Sequence, residues 1–231
     1  MIKQLLVLLT VASLVIGGCV LGESDSSGTK EAKEITDLSM GGGVFVFSGQ
    51  GYGLAQMGTF FDSMPYEDAV VYVNGIELEN KSGLHSNKEP LPLDQLSPGE
   101  TARIVVYALG DSLVREIPIP ETPVIIRPEE GAKATVGKEL LVEIDFPGEH
   151  KYLSMTLTNQ KNVAVGLETT EKKMTVKIPG DMLPNAGISM LSAFSVQTLD
   201  DIPTDFNPSQ DYSFFFVSTV AIRSVEFVAG Q

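Results

Sequence analysis

Apolar residues at every second position, in short runs broken by turn-forming residues, set the limits on what this chain can become. Leu140, Val142, Ile144 and Phe146 alternate with Leu141, Glu143 and Asp145, and Glu139 precedes them. Successive side chains of a strand point to opposite faces, so such a run makes a half-buried strand and cannot bury one face as a helix. The same alternation recurs in Ala102 to Ala108, where Ile104 and Val106 face one way and Arg103, Val105 and Tyr107 the other. It recurs in Tyr152 to Thr158, with Leu153, Met155 and Leu157 inward, and in Met174, Val176 and Ile178. Val44 to Phe47, Leu113 to Ile117, Val163 to Leu167, Gly187 to Leu199, Tyr212 to Val220 and Arg223 to Val228 are further β runs. Between them lie turns: Asn74-Gly75 supplies the two positive-φ residues of a type I′ hairpin within Val70 to Leu78, and Ser97 to Glu100 and Pro147 to His150 reverse the chain. Lys81 to Pro92 reads as a loop. Only Leu54 to Phe61 hints at a helical period, and its glycine argues against one. Strands about ten residues apart with Gly, Pro, Asn and Asp turns predict an all-β chain of antiparallel sandwiches.

The first residues are of another kind. Lys3 and the amino terminus are positive, Leu5 to Ile16 is apolar apart from Thr10 and Ser13, and Gly17 and Gly18 follow. This is the layout of an export signal, and its apolar run is shorter than the roughly 20 residues that span a bilayer. Ile16-Gly17-Gly18-Cys19 resembles the lipobox of the bacterial lipoprotein family. The resemblance implies cleavage between Gly18 and Cys19, and at least two fatty acyl chains (palmitate among them) on Cys19. It places the protein outside the cytoplasm, lipid-anchored at the cell envelope. Val20 stands where an Asp favours inner-membrane retention, which implies the outer membrane in a Gram-negative cell. Some archaeal lipoproteins carry a similar sequence. The plainer reading is a signal peptide or short anchor that happens to contain a cysteine. Two acyl chains give stable attachment where one gives marginal attachment.

Cys19 is the single cysteine, so no disulfide is available and the rest of the chain must hold together by burial. The formal charge is −14, and loss of Lys3 with residues 1–18 makes it one more negative. So acidic a surface repels phosphate backbones and anionic lipid, which excludes nucleic acid as a partner. It keeps the molecule soluble, or steers a cationic partner. Gly22 to Asp37 is polar, charged and free of aromatics, and is expected as a disordered tether of about 20 Å root-mean-square length. Pro118, Pro120 and Pro123 mark a stiff connector. The expected organisation is a signal peptide at 1–18, the lipidated Cys and tether at 19–37, an N-terminal β domain at 38–120 and a C-terminal β-sandwich at 121–231. The segment from Pro123 resembles the bacterial immunoglobulin-like and fibronectin-III-like domains, through Ile125 to Gly131 (IIRPEEG) and Val176 to Pro184 (VKIPGDMLP). That resemblance implies a fold and not an activity.

Candidate sites are few. Asp200, Asp201, Asp205, Asn207 and Asp211 crowd one loop, a set of oxygens suited to Ca²⁺ or simply a solvated acidic loop. No other cofactor is expected. Gly49 to Gly53 follows a β run like a phosphate-cradling loop, but no good helix follows, so a glycine-bulged hairpin is expected. Ser27-Gly28-Thr29-Lys30 has S-x-x-K spacing without companion motifs. His85 and His150, the two histidines, fall in expected exposed turns and cannot make a triad or a His-rich metal site. Asn80-Lys81-Ser82 is a formal glycosylation sequon. Tyr52, Phe60, Phe61, Tyr66 and Tyr72, and Phe214 to Phe216, are either recognition aromatics or residues buried between sheets. The function expected is non-enzymatic binding or adhesion to a protein partner in the envelope or outside the cell. A structural spacer of an envelope complex is the alternative. A glycosidase-like enzyme is a third reading; it would need two carboxylates about 5–9 Å apart.

Overall fold

The computed structural model describes residues 31–62, 64–159, 164–182, 186–199 and 213–229. Among them there is no α-helix, and the alternating runs form strands. The first half of the chain supplies β1 (Ser39–Phe47), β2 (Tyr52–Phe61), β3 (Met64–Pro65), β4 (Val70–Val73) and β5 (Ile76–Glu77). It continues with β6 (Glu79–Lys81), β7 (Leu84–Ser86), β8 (Leu91–Pro92), β9 (Thr101–Ala108) and β10 (Asp111–Pro118). The second half supplies β11 (Val124–Arg127), β12 (Lys133–Thr135), β13 (Leu140–Asp145) and β14 (Tyr152–Asn159). After these come β15 (Ala164–Thr169), β16 (Lys173–Ile178), β17 (Gly187–Thr198) and β18 (Ser213–Val228).

Three sheets result. The largest runs β15-β14-β17-β18-β1-β2-β7-β6, with β12 beside β18 and β3 and β8 beside β2. A four-stranded sheet, β10-β9-β4-β5, and a three-stranded sheet, β11-β13-β16, complete the set. The molecule is an all-β sandwich. One core lies between β1, β2 and the start of β18 on one side and the four-stranded sheet on the other; Val44, Met57, Val71, Ile104, Val106 and Val217 meet there. A second core joins the three-stranded sheet to β14, β17 and the end of β18, through Val142, Ile144, Met155, Leu191, Val225 and Phe227.

β18 belongs to both cores. Phe215 and Val217 enter the first and Val225 and Phe227 the second, all on one face because their numbers differ by multiples of two. Between them Thr219 and Arg223 on the same face fasten the chain on either side of β11. The Thr219 hydroxyl donates to the Glu121 carbonyl at 2.9 Å, and Arg223 donates to the Pro128 carbonyl at 3.3 Å. Arg223 also pairs with Glu130 at 3.2 Å.

Several expectations change. Most ladders are antiparallel, but β1 and β12 each pair with β18 in parallel. Tyr212 to Val220 and Arg223 to Val228 were expected as separate runs; β18 is one strand from Ser213 to Val228. The expected loop at Lys81 to Pro92 contains β7, β8 and the end of β6, strands too short to show a period in the sequence. The end of the expected tether is folded: Ile35, 5 % exposed, packs into the first core beside Leu38, the first residue of the expected domain. The Asp37 carboxylate accepts the backbone N–H groups of Lys33 at 2.8 Å and Glu34 at 3.0 Å, and these bonds hold its pKa below the ordinary carboxylate value. Two apolar residues and a turn cap thus anchor a segment whose composition alone reads as solvated.

Candidate binding face

The four-stranded sheet buries one face and leaves the other to solvent. On β4, Val71 and Val73 point into the core while Val70 and Tyr72 point out. On β9, Arg103, Val105 and Tyr107 point out, and on β10, Ser112, Val114 and Glu116. The ladder sets these in rows: Val70 beside Tyr107 beside Ser112; Tyr72 beside Val105 beside Val114; Arg103 beside Glu116. Val105 is only 3 % exposed although it points away from the core. Tyr107 is 50 % exposed, and Val70 and Val114 more than a third. The outcome is a continuous aromatic and aliphatic surface across three strands.

Local turns hold this face in register. Asn74 and Gly75, at φ 48° and 83°, close the β4–β5 hairpin with the expected type I′ signs. The Asn74 carboxamide accepts the Arg103 backbone N–H at 2.7 Å and donates to the Gln95 carbonyl, tying the hairpin to β9. Leu109 and Gly110, also at positive φ, close β9 onto β10. Tyr72 and Tyr107 meet edge to face, with ring centroids 5.8 Å apart and planes at 85°. The Tyr72 hydroxyl donates to Glu77 at 2.9 Å, and that bond is the main cause raising its pKa above 10.0. Arg103 and Glu116 form an exposed pair at 3.6 Å. A shallow groove of about 470 Å³, lined in part by Asp68, Val70, Tyr107 and Asp111, opens at the end of the face.

The residues singled out in the sequence scatter. Gly18, Cys19, Ser27 to Lys30 and the acidic set Asp200, Asp201, Asp205, Asn207 and Asp211 lie outside the described residues. Among the described residues no three His, Cys, Asp or Glu side chains are placed to hold a metal ion. Gly49 to Gly53 forms the turn from β1 to β2 and the start of β2; Gln50 and Gly51 both donate to the Phe47 carbonyl at 3.0 Å, and no helix follows. Asn80 spends its carboxamide on the protein, donating to the Glu67 and Ala69 carbonyls and accepting from Gly83.

His85 overturns the expectation of an exposed turn. It sits on β7, 1 % exposed. The Thr59 hydroxyl has a single proton and gives it to the Tyr66 carbonyl at 2.8 Å, so its oxygen accepts from His85 Nε2, 3.1 Å away. Nδ1 is then a buried lone pair with no hydrogen-bond partner. Burial disfavours the charged ring and pulls its pKa down to about 4. His150 is half-buried; desolvation first, then the charge of Lys172, lowers its pKa.

The aromatics are not one cluster. Phe61 and Tyr66 pack on the first core, and burial is the main cause raising the Tyr66 pKa. Tyr52 lies against Phe47 at 5.1 Å. Phe214, Phe215 and Phe216 are all buried, Phe215 in the first core and the other two in a layer with Val196, Phe45 and Phe194 on the opposite side of β18. Of the aromatics singled out, only Tyr72 joins the open face. Its partner Tyr107 was legible as outward-facing but not as a site, because an outward tyrosine gains meaning only from the neighbouring strands.

No protein-family model matches this chain, and no curated protein is similar to it in sequence. Among solved structures, titin domains I67–I69 are similar at 11% identity, over 85% of this chain and 65% of that one, with a TM-score of 0.25. Dpr11 IG1 bound to DIP-gamma aligns at 9% identity over 84% and 96%, with a TM-score of 0.27. A Ca²⁺-stabilised, ice-binding adhesin of an Antarctic bacterium aligns at 12% over 82% and 49%, with a TM-score of 0.28. These overlaps are too small for a shared topology to be read from them, and they say nothing about function.

Proposed function

We propose that this chain is a lipid-anchored envelope protein that works by binding another protein through the open face of its four-stranded sheet. The observation that carries this reading is the exposure of Tyr107, Val70 and Val114, from two adjacent rows, around an outward-pointing Val105. Sheets bury one face readily and cover the other with polar residues, so contiguous apolar side chains on a solvent face mark an interaction surface. Anchoring rests on the signal-like start and the sequence Ile16 to Cys19. Metabolic labelling with palmitate should mark the wild type and not Cys19→Ala; label that persists in the variant removes the anchor from this account.

The binding face is tested on intact cells with a photo-crosslinking residue at Val114 or Tyr107, against a control at Thr175 on the outer face of the three-stranded sheet. Adducts of discrete mass at the first two positions and none at the control support the face. Equal yields at all three positions count against it. The spacer reading has one observation in its favour: β18 runs unbroken through both cores for about 50 Å, at roughly 3.3 Å per residue.

A further inference from the structure

The groove at the end of the open face has a chemistry that selects its occupant. Tyr107 presents half its surface there, beside Val70, and Asp68 and Asp111 stand at its rim. The Asp111 carboxylate accepts the Ser112 backbone N–H through one oxygen at 2.7 Å, and the residue is exposed. Neither aspartate has a salt-bridge partner among the described residues. Among the described residues Asp68, Glu77, Asp111 and Glu116 outnumber the nearby cations, Arg103, which pairs with Glu116, and Arg115 at the far edge beside Val114. The chain as a whole carries −14, so the local sign and the long-range field agree.

An apolar or anionic occupant would desolvate these carboxylates with nothing to replace the lost water, and a neutral donor would leave their charge uncompensated. A cationic side chain with an aliphatic stem meets each need at once. Its charge would meet the Tyr107 ring and the two carboxylates that line the same groove, and its methylenes would pack on Val70. Building on the binding reading above, we infer that this groove takes a lysine or arginine side chain from a basic segment of a partner protein.

The test uses the full chain and a fluorescein-labelled peptide of alternating lysine and serine, with a glutamine-for-lysine peptide as control, followed by fluorescence anisotropy at low and high salt. The lysine peptide should bind, and more weakly as salt rises; the glutamine peptide should not. Tyr107→Ala and the pair Asp68→Asn/Asp111→Asn should each weaken binding at least fivefold, whereas Tyr107→Phe, which keeps the ring, should not. Glu149→Gln/Glu171→Gln makes the same change of charge at exposed positions elsewhere and should cost less than twofold. Equal losses in the two acid pairs would mean a diffuse negative field, and the inference fails. Failure of the lysine peptide to bind overturns it as well. If the glutamine peptide binds as tightly and remains sensitive to Tyr107→Ala, the cation is not what the face reads, yet the face still binds and the broader proposal stands.

Discussion

His85 shows how one side chain converts burial into pH dependence. The folded state holds its pKa near 4, while an unfolded histidine titrates near 6.5, so between those values the unfolded chain binds more protons. Its contribution to stability is therefore fully present above about pH 6.5 and is lost as the pH falls towards 4. The gap corresponds to about 2–3 kcal/mol at pH 4.5. Denaturant unfolding at pH 7 and pH 4.5 should show at least that difference in the wild type, since His150 and Asp37 shift in the same direction, and His85→Gln should reduce it by about 2–3 kcal/mol. An unchanged pH profile in the variant would place the titrating group elsewhere. Little in the sequence pointed to this behaviour: Leu84-His85-Ser86 offers no alternation, and only the pairing of β7 with β2 turns the imidazole inward.

At the scale of elements, β1 and β18 fit because glycine faces phenylalanine. Gly41 and Gly43 stand in register with Phe214 and Phe216, whose rings lie over them. A Cβ on Gly43 would sit 2.6 Å from the Phe216 ring, and one on Gly42 only 2.2 Å from the Gln56 carbonyl oxygen. The first obstacle is a side chain, packed against Phe214 and Phe45; the second is the backbone of β2, met at φ +147°, where a side chain is strained in any case. Gly43→Ala is expected to cost about 1–3 kcal/mol in chemical denaturation. Gly42→Ala should cost more and prevent folding to a single state, seen as collapse of amide dispersion in NMR spectra. The two substitutions are alike in chemistry, so a Gly42→Ala variant no worse than Gly43→Ala would contradict the close approach of β1 to β2. Glycine inside a strand signals a close approach of another chain segment. Gly41, Gly42 and Gly43 are such positions, and only the pairing of β1 with β18 and β2 names what approaches them.

For the whole molecule, the sharing of β18 makes the two cores one thermodynamic body. Removing Phe227 empties part of the second core, a loss of about 3–5 kcal/mol for a buried phenylalanine cut to alanine. Because the same strand carries Phe215 and Val217 into the first core, the destabilisation should reach β9 as well as β13. Hydrogen exchange under rising denaturant should show amides of both strands losing protection together in the wild type, and together but earlier in Phe227→Ala. Loss of protection confined to β13 would mean that each core stands alone and that β18 is merely a tie between them.

The sequence by itself determined the longer alternating strands and their faces. Alternation at Leu140 to Phe146 or Ala102 to Ala108 leaves no other economical burial, and Asn74-Gly75 fixes a turn whatever surrounds it. These are local consequences of backbone geometry and apolar period. Tertiary structure alone decided which strands became neighbours. The parallel ladders of β18 with β1 and β12 join segments distant along the chain, and no local turn specifies such a pairing. The same non-local pairing buried His85, folded Ile35 onto the first core, and left Tyr107 uncovered. Each of those outcomes depends on what lies across from a residue, and a sequence records only what lies beside it.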